Sequence, residues 1–64
     1  MRYTLADVVE LRLTSAGHNR WRYFIVDAVM KNGTITRQPA VNTVAQAKRR
    51  QREWFPNATV TLAP

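Results

Sequence analysis

The chain has no cysteine and a single histidine, His18. Without thiols there are no disulfide staples, no thiolate zinc site and no sulfur nucleophile, a composition that fits a reducing interior. One imidazole excludes a two-histidine metal site, and its place in the turn-rich Ser15-Ala16-Gly17-His18-Asn19 reads as a solvated ring. Acidic residues are also sparse, and Asp7, Glu10, Asp27 and Glu53 are too scattered for a general-acid pair. Ser15 has no glycine elbow, orienting group or walled pocket around it, so it lacks the surroundings of a nucleophile. Long apolar runs are missing as well: Met1-Arg2-Tyr3-Thr4-Leu5-Ala6-Asp7 meets an acidic residue before a signal peptide or spanning helix could be drawn, which predicts a soluble cytoplasmic protein. Asn32-Gly33-Thr34 and Asn57-Ala58-Thr59 match the glycosylation sequon but make better sense as turns.

Sixty-four residues allow one domain, 1–64, with one small core. A chain of this size buries only about 60% of its unfolded surface and has little left to wall off a deep substrate pocket. Enzyme is therefore the least favoured class, and no cofactor or metal is expected.

What is present is patterned. Tyr3, Leu5, Asp7, Val9, Leu11 and Leu13 alternate with Thr4, Ala6, Val8, Glu10, Arg12 and Thr14, which reads as a strand. A helix capped at Thr4, with Leu5, Val8, Val9 and Leu13 on one stripe, is the alternative. Arg20-Trp21-Arg22-Tyr23-Phe24-Ile25-Val26 is rich in aromatic and β-branched residues and predicts a second, central strand. Its parity shifts from Trp21, Tyr23 and Ile25 to Phe24, Val26, Ala28 and Met30, so either both faces are apolar near Ile25 or a bulge lies close to Asp27.

Lys31-Asn32-Gly33-Thr34 predicts a type I′ hairpin with Lys31 opposite Thr34. In that register Met30 faces Ile35, Val29 faces Thr36 and Ala28 faces Arg37, until Pro39 confines the third strand to an edge. Thr43 and Gln46 have capping-box spacing, and Val44, Ala47, Gln51, Trp54 and Phe55 fall on one stripe of a helix from Val44 to Phe55. Pro56-Asn57 ends it, and Ala58-Thr59-Val60-Thr61-Leu62 forms a last strand with Ala58, Val60 and Leu62 inward. The fold class is α+β, a small antiparallel sheet in the order β-β-β-α-β with one amphipathic helix across one face. The other face has no covering layer and is open to solvent or a partner.

Ten Lys and Arg against four Asp and Glu give a formal charge of +6, and eight of the ten are Arg. Lys48, Arg49, Arg50 and Arg52 crowd one stretch of the helix, with Arg49 pointing directly away from the buried stripe and Arg50 and Arg52 flanking it. A solvated helix face is the plain explanation. Against it, the like charges repel, and Arg49 precedes Glu53 in the weaker i,i+4 order, so stability alone does not select this pattern. Arg20, Arg22 and Arg37 interleave with Trp21, Tyr23 and Phe24, as in modules that hold single strands on a sheet, although most of these aromatics are expected to build the core.

Thr43-Val44-Ala45-Gln46-Ala47-Lys48 followed by Phe55-Pro56-Asn57-Ala58-Thr59-Val60 resembles small bacteriophage-encoded proteins of β-β-α-β layout, among them inhibitors of bacterial RNA polymerase and some anti-CRISPR proteins. That resemblance implies a protein without an active site that occludes a machine in a bacterial host. Trp21-Arg22-Tyr23, Asn32-Gly33 and Thr43 to Trp54 are also similar in order to the arm-binding N-terminal domains of phage and transposon integrases, in which a three-stranded sheet followed by a helix enters DNA.

The leading expectation is a non-enzymatic nucleic-acid-binding protein, with DNA ahead of RNA, using Lys48, Arg49, Arg50 and Arg52, with Arg20, Arg22 and Arg37 as secondary contacts. The alternative is an inhibitor docked on an acidic or nucleic-acid-binding host surface, with no membrane partner in either case. Pairing of the edge strand Thr34 to Gln38 across a two-fold axis would make a homodimer in place of a monomer.

Overall fold

The computed structural model describes residues 5–18 and 20–63. Tyr3 and Thr4, where the sequence reading opens the first strand or its helical alternative, and Asn19 of the first turn lie outside the described residues. After a 3₁₀ turn at Leu5–Asp7 come β1 (Val8–His18), β2 (Trp21–Met30), β3 (Ile35–Val41), α1 (Val44–Trp54) and β4 (Thr59–Leu62). The element order is the expected one, and the sheet runs β3-β2-β1-β4, with β2 central. It is mixed rather than antiparallel: β4 pairs parallel to β1, because α1 carries the chain across the sheet from one edge to the other between two strands of like direction.

Residues 8–14 form strand, as the alternation indicates, but Leu5–Asp7, read as part of that strand, form the 3₁₀ turn instead, and the alternation does not run through Val9. Val8 stands opposite Met30 and Glu10 opposite Val29, leaving Val9 as an extra residue in β1. This β-bulge moves the inward face from odd to even numbers at the start of the strand, so that Val8 is buried with Leu11 and Leu13 while Val9 faces outward. β2 keeps unbroken register with β1 from Trp21 to Val29. Both its faces are apolar near Ile25, and the second irregularity lies at Pro39 and Ala40 of β3, between the pairs Val26–Gln38 and Phe24–Val41.

The Asn-Gly turn lies where expected but is a three-residue loop. The Met30 N–H donates to the Thr34 carbonyl at 2.8 Å, the Gly33 N–H donates to the Met30 carbonyl at 2.9 Å, and Gly33 takes φ +89°. That is a tight turn followed by a left-handed glycine, with the Asn32 side chain accepting from the Thr34 N–H at 2.9 Å. Relative to the type I′ reading the register slips by one. Val29 faces Ile35, Ala28 faces Thr36 and Asp27 faces Arg37. Pro39, with no N–H to donate, sits on the edge strand as the ladder requires.

α1 follows its sequence signals closely. Thr43 is the N-cap and accepts from the Gln46 N–H at 3.1 Å, and the Gln46 side chain accepts from the Asn42 N–H at 2.8 Å. Phe55 is the C-cap, its N–H donating to the Gln51 carbonyl. Ala47 and Phe55 lie buried against Val8, Leu11, Leu13, Val26, Ala28, Val41 and Ala58, with Phe24, Met30, Val44 and Val60 packed around them. Ala58, just before β4, is buried and Val60 half-buried, and Leu62, opposite the buried Leu13 at the far end of an edge strand, shares that face but is exposed.

The helix and the strands differ in length. Eleven helical residues span ~16 Å, whereas the eleven residues of β1 span ~36 Å. β4 pairs with β1 only as far as Leu13, and β3 with β2 only as far as Phe24. Beyond those points β1 and β2 run on as a two-stranded arm to the turn between His18 and Trp21. Its contribution to shape is visible in overall dimensions of 41 × 20 × 18 Å. The sequence reading placed Ser15 to His18 in the turn, but the strand extends through them because Gly17 adopts φ +81°. A Cβ there would fall 1.8 Å from the Trp21 carbonyl oxygen and 3.2 Å from the Tyr23 ring.

Two outcomes follow. Leu11→Ala should lower unfolding stability in denaturant titration by about 2–5 kcal/mol, a large share of what a domain of this size holds. Gly17→Ala should remove hydrogen-exchange protection from residues 15–24 while leaving that of 8–13 and 26–29 in place, since the clash is confined to the arm.

Candidate functional site

The seven candidate cations occupy three separate places. Lys48, Arg49 and Arg52 are exposed on α1 and make no ion pair among the described residues. Arg50, on the same helix, is half-buried and donates from Nη1 to the Pro39 carbonyl on the edge strand. Its guanidinium therefore ties α1 to β3 and leaves less of its donor fork free than sequence alone suggests. Arg20 and Arg22 lie at the end of the arm, both exposed. Arg37 is on the open face of the sheet, where its Nε donates to Asp27 Oδ1 at 2.6 Å.

Pairing within the sheet determines where the positive field emerges. Arg12 Nε stands 3.2 Å from Glu10 Oε2, and Arg37 pairs with Asp27. These are the ion pairs among the described residues, and all four partners are on the face away from α1. Two cations are thus compensated locally by two of the four carboxylates. The helix is left with Lys48, Arg49, Arg50 and Arg52 against Glu53 alone, and residues 15–25 carry Arg20 and Arg22 with no carboxylate.

Glu10 also accepts a hydrogen bond from the Thr61 hydroxyl across the β1–β4 pairing. That bond, with the hydrogen bonds and charge of Arg12, holds the Glu10 carboxyl below the ordinary carboxylate range against a smaller opposing effect of burial. The bond ties the last strand to the open face.

Between α1 and β3 runs an open groove of about 440 Å³, lined by Asn42, Gln46, Arg49, Arg50, Glu53 and Trp54 with Ala40 and Val41. A smaller hollow of about 230 Å³ adjoins it, formed by Gln38, Pro39, Arg50, Trp54 and Phe55. Trp54 borders both. It belongs to the inward stripe in the sequence reading, yet it is 56% exposed. The signal for this was its position, about 80° round the helix from Val44 on the Arg50 side, at the margin of the stripe. Lys48 and Arg52, one turn apart, lie outside the groove lining.

The arm brings a second set together that packing arguments assigned to the core. Trp21 is 78% exposed and Tyr23 40%, on the same side of β2. Of Trp21, Tyr23, Phe24, Trp54 and Phe55, only Phe24 and Phe55 join the core cluster. His18 stands opposite Trp21 in the pairing and is exposed. Among the described residues no three of His, Asp or Glu gather as a metal site would require, and no helix is long and apolar enough to cross a membrane.

No family model, curated protein or solved structure matches this chain. Its chemistry is therefore read from its own side chains: two uncompensated basic surfaces, one on a helix with an adjoining groove and one on an arm with exposed rings.

The depressed Glu10 carboxyl makes a stability prediction with a definite sign. A carboxyl with a lowered folded-state pKa contributes stability that is present above its unfolded value and disappears as pH falls through the folded one. Thr61→Val removes the main cause, so wild type should melt above T61V at neutral pH. The gap should narrow as pH falls below the ordinary carboxylate range, as followed by thermal unfolding across an acid series.

Proposed function

We propose that this chain is a non-enzymatic nucleic-acid-binding module that lays a phosphate backbone along the outer face of α1. The observation that carries the reading is the distribution of pairs: the sheet neutralises its own arginines with Glu10 and Asp27, while Lys48, Arg49 and Arg52 stand exposed without a carboxylate partner among the described residues. A helix that needed only solubility would balance its signs and place Glu before Lys or Arg at i,i+4, whereas this one sets four cations against Glu53, which follows Arg49. Arg50 contributes by holding the helix to β3 and by its share of the field, and Arg37, engaged by Asp27, contributes little. If Lys48, Arg49, Arg52, Arg20 and Arg22 each meet a phosphate, log K falls against log salt with a slope of about −4.5 on duplex DNA. Sequence preference is weak in such a mode, because phosphate contacts position and do not read bases.

A second reading is favoured by Trp54. An exposed tryptophan beside Arg50, in a groove with Gln38 and Pro39, combines the two residue types that most often anchor protein interfaces. In this reading the chain is an inhibitor of phage type that occludes a host protein whose surface is acidic.

The test is fluorescence anisotropy with labelled oligonucleotides at about 50 and 200 mM salt, the range over which phosphate-driven affinity changes by orders of magnitude. Arg49→Glu combined with Arg52→Glu should lower affinity at least a hundredfold at the lower salt and leave the melting temperature almost unchanged, because both side chains are in water. Unaltered affinity in a folded double variant would remove α1 from the interface. A host protein retained from nuclease-treated lysate through Trp54, with no oligonucleotide binding at either salt, would give precedence to the inhibitor.

A further inference from the structure

The arm differs from the rest of the sheet in having no third strand beside it among the described residues. β4 stops at the level of Leu13 and β3 at the level of Phe24, so among the described residues the pairs Ala16–Tyr23, Gly17–Arg22 and His18–Trp21 have no neighbouring strand. Apolar rings in that position gain nothing from the core. Trp21 is almost entirely in water, and Tyr23 is partly so, with its ring accommodated by the absent side chain of Gly17.

We infer that the exposed rings of Trp21 and Tyr23 form a stacking platform for unpaired bases, so that the arm binds a single-stranded segment of nucleic acid. The inference rests on the nucleic-acid reading above and deepens it by naming the form of the ligand. Trp21 and Tyr23 are two positions apart on one strand, so they project to the same side about 6.8 Å from one another along β2. Ala16, the residue facing Tyr23, is too small to cover it. Trp21 stands opposite His18 and is still 78% exposed, so both rings offer surface to a base, and stacking of this kind tolerates any base because every base has a π-face.

Charge supplies the complement. Residues 15–25 include Arg20 and Arg22 and no acid, so a polyanion meets no repulsion along the arm. Arg22 alternates to the opposite side of the ribbon from Trp21. The ribbon is only two strands wide, about 5 Å between strands, so an arginine side chain reaches round its open edge to phosphates of a strand lying on the rings. A duplex keeps its bases stacked on one another and offers this platform only its backbone. Single strands therefore gain from both the rings and the arginines, and duplexes from the arginines alone.

The experiment compares two single strands of equal charge, one with bases and one without, and a duplex. A labelled oligothymidine of about twelve nucleotides, within the range of single-strand sites on small modules, is titrated beside an abasic chain of the same length and beside a duplex. Wild-type protein should bind the oligothymidine at least tenfold more tightly than the abasic chain. Trp21→Ala should remove most of that preference without changing duplex affinity, and Trp21→Phe, which retains a ring, should restore most of it. Equal binding of oligothymidine and abasic chain by wild-type protein would overturn the platform and leave the phosphate-binding helix intact, as would an equal loss on single strand and duplex in Trp21→Ala. Absence of binding to all three by wild-type protein would overturn the nucleic-acid reading itself and this inference with it.

Discussion

An eleven-residue helix covering strands more than twice its length is the constraint on which the molecule depends. The core can form only where α1 lies, so Leu11, Leu13, Val26 and Ala28, directly paired across β1 and β2, are fully buried, while further along the same two strands Trp21 and Tyr23 are exposed. A chain of this size has too few residues to add a second layer. Its sheet therefore keeps one open face and one uncovered end, and both are populated by side chains that a larger protein would bury or dispense with.

The open face is stabilised in a different way from the core. Its central row alternates charge across the strands, with Thr61, Glu10 and Arg12 linked at the β4 side and Asp27 and Arg37 linked at the β3 side. Exposed pairs of this type contribute little individually. Their importance lies in specifying register and in removing four charges from the external field. Had Arg37 been placed opposite Ala28, as a two-residue hairpin would require, Asp27 would have faced a different residue. The three-residue loop with Gly33 in the left-handed region places Arg37 directly across from Asp27. Local turn geometry is thereby coupled to the electrostatics of a surface several residues away.

The basic helix and the arm are consequences of the same economy of residues. Glu10 and Asp27 are engaged on the open face, α1 holds Glu53 as its one acid and residues 20–22 hold none, so the positive charge collects on α1 and at residues 20–22. Arg50 has a part in both roles, because it fastens α1 to the carbonyl of Pro39, a residue that cannot itself donate to the sheet. The groove between helix and edge strand is the space left beside that fastening.

Much of this was legible in the amino-acid sequence. The cap at Thr43, the stop at Pro56, the turn at Asn32-Gly33, the edge position of the strand holding Pro39 and the exposure of Lys48, Arg49 and Arg52 all depend on local stereochemistry or helical spacing, which neighbouring residues specify on their own. Other features depended on partners distant in the chain. The bulge at Val9 is invisible to alternation, because either parity buries apolar residues until Met30 is known to stand opposite Val8. The direction of β4 depended on which way α1 crossed the sheet. The exposure of Trp21, Tyr23 and Trp54 could not be read from their apolarity, because burial is a property of what lies over a residue, and only the tertiary structure decided where the one short helix would lie.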